Sequence, residues 1–226
     1  MDIALAVKSL KEKYPIFDWK RDVLVPIYRA GARRLARLIW KPEFIGFDKI
    51  PKDGPVLLIA NHVSYVDGVI LYAACDRPVR FLMDGLIFKL PLVHHFMSLA
   101  RAIPILPNRE SVSKAFAEVS DALKAGEVVC VFPEGQLTYT GSLGRFRPGI
   151  ESIIKRDPMP VYPIAINGLW GSIFSRKYRR SKFRWWPRNL SARIQVICGD
   201  PIPAPEVSVN RLQREVLRLK HLLSNN

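Results

Sequence analysis

The chain is short of acidic residues, of cysteine and of long apolar runs. Its 226 residues hold 20 Asp+Glu against 35 Lys+Arg, a net charge of +15 at pH 7. A surplus of that size does not choose a fold, but it points to an anionic partner: nucleic acid, an anionic membrane or an acidic carrier protein. The three cysteines, Cys75, Cys130 and Cys198, each lie in or beside an apolar run and lack metal-ligand spacing. They read as buried free thiols in a reducing compartment. No uninterrupted apolar stretch approaches the ~20 residues that a membrane span needs, and no secretory signal is read at the N-terminus. The expectation is a protein in or on a membrane surface rather than through it. Internal repeats and low-complexity segments are absent, as is any Gly-x-Ser-x-Gly elbow that would present a nucleophilic serine.

What is present suits a globular domain. Hydrophobic residues make up 49% of the chain, too many for disorder. The length fits one large domain, or one domain with an appended element. From Trp19 to Trp40, apolar residues recur at intervals of three and four (Val23, Leu24, Ile27, Leu35, Leu38, Ile39). Arg29, Arg33, Arg34 and Arg37 fill the gaps. This is a basic amphipathic helix, suited to a lipid interface and equally able to dock one end on the core. Pro42 ends it, and residues 1–42 are expected to form an N-terminal docking element ahead of a domain over 43–226. Beyond Pro42, apolar strands alternate with helices. Strands are expected over 44–50, 56–60, 79–83, 103–106, 128–132, 161–166 and 192–198. Helices are expected over 67–75, parts of 86–99, 111–124, 149–155 and 207–223. That alternation predicts an α/β fold with a central, mostly buried sheet flanked by helices.

The stretch Asn61-His62-Val63-Ser64-Tyr65-Val66-Asp67-Gly68 stands where the strand 56–60 opens into a helix. On one continuous helix, His62 and Asp67 would point about 140° apart. They meet only if the chain between them turns. Once together, Asp67 accepts a hydrogen bond from one imidazole nitrogen and leaves the other free to take a proton. An ordinary histidine pKa of about 6.5 suits that task. A second block, Val131-Phe132-Pro133-Glu134-Gly135, ends another apolar strand. Pro133 fixes φ and Gly135 permits a tight turn, so the backbone aims the Glu134 carboxylate.

These two blocks resemble the NHX4D and FPEG motifs of the glycerolipid acyltransferases, the 1-acylglycerol-3-phosphate and lysophospholipid acyltransferase family, in order and separation. The resemblance covers roughly Pro51 to Pro203. It implies the glycerolipid-acyltransferase fold and a general-base mechanism without an acyl-enzyme. His62 deprotonates the acceptor hydroxyl, Asp67 holds the ring, and Glu134 helps hold the acceptor. The motif neighbours Asn61, Ser64, Phe132, Pro133 and Gly135 are expected at the substrate site. The implied donor is acyl-CoA or acyl carrier protein, a co-substrate rather than a cofactor. Lysophosphatidic acid is the first-choice acceptor. No metal and no cofactor are expected. The implied partners are a lysophospholipid and an anionic membrane surface, with the protein peripheral on the cytoplasmic face and no nucleic acid bound.

The family's commoner second block continues as FPEG-Thr-Arg, whereas this chain has Gln136-Leu137. The flank Thr138 to Leu143 resembles the acyltransferase part of acyl-ACP synthetase/2-acylglycerophosphoethanolamine acyltransferases. That resemblance raises lysophosphatidylethanolamine as an alternative acceptor, beside a non-catalytic lipid-binding role. Arg145 and Arg147 match a basic segment and are expected at the acceptor phosphate, which suits guanidinium. Arg101 and Arg109, in a loose match to an intervening family block, are alternatives for the same charge. The basic aromatic run 176–188, with Trp185-Trp186 between arginines, is expected at a membrane or acidic carrier rather than at nucleic acid. His94-His95 are expected to be core or pocket-lining.

Overall fold

The computed structural model describes residues 25–89, 94, 97–172, 174–177 and 193–224. The expected helix over 1–10, the first residues of the basic helix with Trp19, His95 and the run 178–188 lie outside the described residues. Seven strands form one sheet: β1 (Glu43–Ile45), β2 (Val56–Ala60), β3 (Val79–Asp84), β4 (Ile103–Ile105), β5 (Val128–Val131), β6 (Val161–Asn167) and β7 (Gln195–Cys198). Their order is β1-β7-β6-β2-β5-β3-β4. Every neighbouring pair is parallel except β6 and β7.

The central strands β2 and β5 are apolar at every position because both faces of the sheet are covered. Side chains alternate between the faces. Val56, Leu58 and Ala60 of β2 pack into one half of the core, with Cys130, Tyr162, Ile164 and Ile166. Leu57 and Ile59 enter the other half, with Val129, Val131, Val161 and Ala165. The first half is roofed by α1 (Val25–Trp40) and α2 (Asp67–Ala74), through Ala36, Ile70, Leu71 and Tyr72. The second is roofed by α4 (Arg109–Lys124), α5 (Gly149–Arg156) and α6 (Val209–Ser224). A four-residue helix, α3 (Gly85–Phe88), follows β3. The result is a three-layer α/β/α domain.

Local signals explain the boundaries. Asn108 caps α4 by accepting from the Ser111 N–H at 2.8 Å, and Ala115, Val119, Ala122 and Leu123 form its buried stripe. The strand expected over 44–50 stops at Ile45. Gly46 turns at φ +72 and a 3-10 helix, Phe47–Lys49, follows. At Gly46 a side chain would stand 2.5 Å from the Cys198 carbonyl oxygen, so the turn requires glycine. The helix α1 is docked rather than free-standing. Arg33 donates to the Ala73 carbonyl at 2.8 Å and pairs with Asp76 at 2.8 Å. Its residues Ile27, Leu35, Leu38 and Ile39 remain exposed. Among the described residues, no helix is long and apolar enough to cross a membrane.

Leu58 is 1% exposed at the middle of the central strand. Leu58→Ala is expected to lower unfolding stability by about 2–5 kcal/mol, read from the urea midpoint.

Candidate active site

Adjacent strands β2 and β5 send the chain to opposite faces, β2 to α2 and β5 to α5. Two connections therefore part at the carboxyl edge of the sheet, and a crevice opens between them, the usual site position in open α/β sheets. The first connection carries His62 to Val66. The second carries Phe132 to Pro148.

The chain turns between His62 and Asp67, and the two side chains meet. His62 Nδ1 lies 2.8 Å from Asp67 Oδ2. The same oxygen accepts from the backbone N–H of Val63 at 2.7 Å and of Ser64 at 2.9 Å. Asp67 is fully buried at the first position of α2. An ionised Oδ2 so placed makes Nδ1 the protonated nitrogen, leaving Nε2 as the acceptor. The His62 side chain is 22% exposed. The Phe132 ring stacks on the imidazole, with centroids 4.2 Å apart and planes 17° apart, and Phe81 continues the stack behind Phe132. Ring position is thus fixed by a hydrogen bond at one edge and an aromatic face beside it.

Glu134 is tied into the backbone of both connections. It is 4% exposed, and each oxygen is engaged by a backbone group. Oε1 accepts from the His62 N–H at 2.7 Å, and Oε2 accepts from the Gly144 N–H at 2.7 Å. The carboxylate therefore ties the β2 exit to the β5 exit. Thr138 adds a second tie, donating its N–H to the His62 carbonyl at 2.9 Å. Burial pushes the Glu134 carboxyl above the ordinary glutamate range. The two N–H groups and the charges of His62 and Lys220 pull it partly back. Gly144 is glycine for a local reason, since a Cβ there would stand 2.5 Å from Oε2.

The remaining expected site residues divide. Pro133 is buried, and its carbonyl accepts from the Arg147 N–H at 2.8 Å. Gly135 turns at φ +66, with the Arg147 guanidinium lying across it. Arg145 and Arg147 are exposed. Arg145 lines a groove of about 220 Å³ beside Glu134, with Gln136, Tyr139, Thr140 and Ser142. Asn61 and Ser64 do not face the crevice. Asn61 is 1% exposed and grips both the N–H and the carbonyl of Ile166, extending the junction of β2 with β6. Ser64 is fully buried. Arg101, expected at a phosphate, is held at the opposite edge of the sheet. It pairs there with Glu127, which precedes β5. Arg109 stands exposed at the first turn of α4, just past the carboxyl end of β4 and three strands from β2. It alone of that pair shares the carboxyl edge with His62.

Three participants carried no readable signal. Gly144 stands outside both motif blocks. Lys220, on α6, donates to the Gly141 carbonyl at 2.7 Å. Arg176 lies over the Tyr139 ring at 4.5 Å, from the basic run read as a surface. Only the fold brings Gly144 and Lys220 to Glu134, and Arg176 to Tyr139 and Leu137 of the same loop.

Removing the Glu134 side chain orphans two backbone donors. Glu134→Ala is expected to cost about 1–3 kcal/mol per donor at most. A raised folded-state value means that the carboxyl contributes its stability when protonated. That contribution is lost as pH rises above 4.5 through the raised value. The stability gap between wild type and Glu134→Ala is therefore expected to narrow from acid towards neutral pH, measured by urea unfolding across that range.

The Acyltransferase family model matches residues 41–167, a span holding both connections of the crevice. A probable 1-acyl-sn-glycerol-3-phosphate acyltransferase of Mycoplasma genitalium is 26% identical over 182 residues, covering 75% of this chain and 65% of that protein. A chloroplastic 1-acyl-sn-glycerol-3-phosphate acyltransferase of Brassica napus is 27% identical over 132 residues, covering 57% of this chain and 38% of its own length. The chain thus spans less than two thirds of these curated relatives. The crystal structure of the 1-acyl-sn-glycerophosphate (LPA) acyltransferase PlsC from Thermotoga maritima is similar with a TM-score of 0.71. That likeness covers 98% of this chain and 88% of the other, and at 18% identity it is a likeness of fold. With more than half of its length matched, the chain belongs to the Acyltransferase family.

Proposed function

We propose that this protein transfers a fatty acyl group from an acyl-CoA or acyl-carrier-protein thioester to the free hydroxyl of lysophosphatidic acid, forming phosphatidic acid for phospholipid biosynthesis. One observation carries the reading: Asp67 Oδ2 gathers the His62 ring and two backbone N–H groups, so that Nε2 is presented as a base. The acceptor hydroxyl gives its proton to Nε2 as its oxygen attacks the thioester carbonyl. The negative charge of Asp67 then faces an imidazolium. Collapse of the tetrahedral intermediate expels the thiolate, which takes the proton back from His62. The acceptor itself is the nucleophile. The Cys130 thiol is buried behind the site, and burial pushes it far above the ordinary thiol range.

The groove beside Glu134 supports a phosphate acceptor. Arg145 supplies its cation, and Gln136, Tyr139, Thr140 and Ser142 supply neutral hydrogen-bonding groups. Its only carboxylate, Glu134, has an oxygen committed to each of two backbone donors, a poor partner for the ammonium of ethanolamine. Arg147 and Arg109 are further phosphate contacts in this reading.

Membrane contact falls to α1. Leu35 and Leu38 are 52% and 80% exposed, beside exposed Arg34 and Arg37, while Arg33 anchors the helix to the domain. Apolar side chains with flanking arginines suit a peripheral position on an anionic leaflet, here the cytoplasmic face.

Purified protein given acyl-CoA or acyl carrier protein, crossed with lysophosphatidic acid or lysophosphatidylethanolamine, tests the reaction. Transfer to lysophosphatidic acid is expected, and His62→Ala is expected to lower kcat by about 10²–10⁴-fold while unfolding at the wild-type urea midpoint. Activity within tenfold of wild type in that variant would defeat the mechanism. Preference for lysophosphatidylethanolamine would reassign the acceptor. Leu35→Glu with Leu38→Glu is expected to weaken co-sedimentation with anionic vesicles, and unchanged sedimentation removes α1 from the interface.

A further inference from the structure

The family match ends at residue 167, well before α6. Yet two polar side chains of α6 reach the groove loop. Gln213 Oε1 accepts from the Phe146 N–H at 3.0 Å, and Lys220 Nζ donates to the Gly141 carbonyl at 2.7 Å. Seven residues apart, they share one side of the helix. The helix has little freedom to move, because Leu212, Val216, Leu219 and Leu223 are buried against the sheet. Val209 adds a bond to Glu151 of α5 at 2.7 Å.

The loop held at Gly141 and Phe146 includes Gly144, whose N–H fixes Glu134 Oε2. The other Glu134 oxygen fixes the His62 N–H. A continuous set of bonds therefore runs from α6 through the groove loop to the backbone of the base. Lys220 also brings a charge. It is half-buried, burial pulls its ammonium below the ordinary lysine range, and the negative Glu134 partly restores it. The groups facing Glu134 are His62 on the β2 exit, Lys220 on α6, and Arg145 and Arg147 on its own loop. Of these, Lys220 comes from another layer of the fold. An ionised Glu134 can accept both N–H groups, whereas a protonated one spends an oxygen on its own hydrogen.

We propose that Lys220 is a positioning residue of the active site: from α6 it holds the groove loop through Gly141 and sets its charge against the Glu134 carboxylate that orders the His62 backbone. This rests on the reading of His62 as the base for acyl transfer. Lys220 touches no reacting atom, and its effect passes through Glu134.

The test compares wild type with Lys220→Met, Lys220→Arg, Lys220→Gln and Gln213→Ala. Two quantities are followed: the pH dependence of kcat for transfer to lysophosphatidic acid, and a carbon NMR titration of the Glu134 carboxyl, assigned by its loss in Glu134→Gln. In Lys220→Met the carboxyl is expected to titrate about one pH unit higher or more, and the acid limb of kcat to move with it. Lys220→Arg is expected to restore both. Gln213→Ala, which cuts a loop tether without changing charge, is expected to leave both in place. If Lys220→Met does not fold, Lys220→Gln keeps a donor for Gly141 without charge and is expected to shift the titration in the same direction. An unmoved Glu134 titration in the uncharged variants overturns the proposal, as does a Lys220→Arg protein as impaired as the uncharged ones. Absence of transfer by wild type would remove the proposed function, and the NMR titration would still decide the Lys220–Glu134 coupling.

Discussion

One buried carboxylate oxygen organises this protein. Asp67 Oδ2 receives three N–H groups, from the His62 ring and from the backbone of Val63 and Ser64. Without that acceptor the β2 exit has no reason to turn, because two backbone donors would be left unpaired at the edge of the core. The turn and the orientation of the imidazole therefore share a cause. A charge buried this deeply is tolerated because it is the hub of several hydrogen bonds, and it sits at the start of α2, where the helix dipole favours an anion.

Glu134 repeats the device on the neighbouring strand. It too is a buried carboxylate whose partners are backbone N–H groups, and one of those belongs to His62. The two motif blocks are thus parts of one hydrogen-bonded unit. Each loop supplies hydrogen-bond partners to the other. Both Glu134 oxygens are engaged by the protein's own backbone.

The fold was legible where burial makes the sequence monotonous. Val56–Ala60, Val128–Val131 and Val161–Asn167 are runs that only a strand covered on both faces accommodates, and each was found within a residue or two. The His62–Asp67 meeting was legible because a five-residue spacing demands a turn. Long-range order was not. Nothing local says that β2 lies between β5 and β6, and without that order Arg101 and Arg109 looked alike. Sheet direction separates them, putting Arg101 at the amino edge with Glu127 and Arg109 at the carboxyl edge. A motif marks neighbourhood, not direction: the Asn61 and Ser64 side chains are buried in the fold while His62 is partly exposed. Lys220 and Gln213 were invisible for a related reason. On a helix patterned by leucine and valine, two polar residues look like solvent-facing positions until the loop above them is known.

The sheet edge has a consequence for how the molecule is made. β1 pairs with β7, and Glu43 takes a hydrogen bond from Gln195, 152 residues further along the chain. During synthesis, β1 leaves the ribosome with no partner available, whereas α1 can settle on α2 soon after the first seventy-odd residues have emerged. The helix α1 can therefore dock on α2 while the β1 edge of the sheet stays open. Closing that edge spans most of the chain, and so long a loop places it late in assembly. That edge is sealed only once β7 has been made.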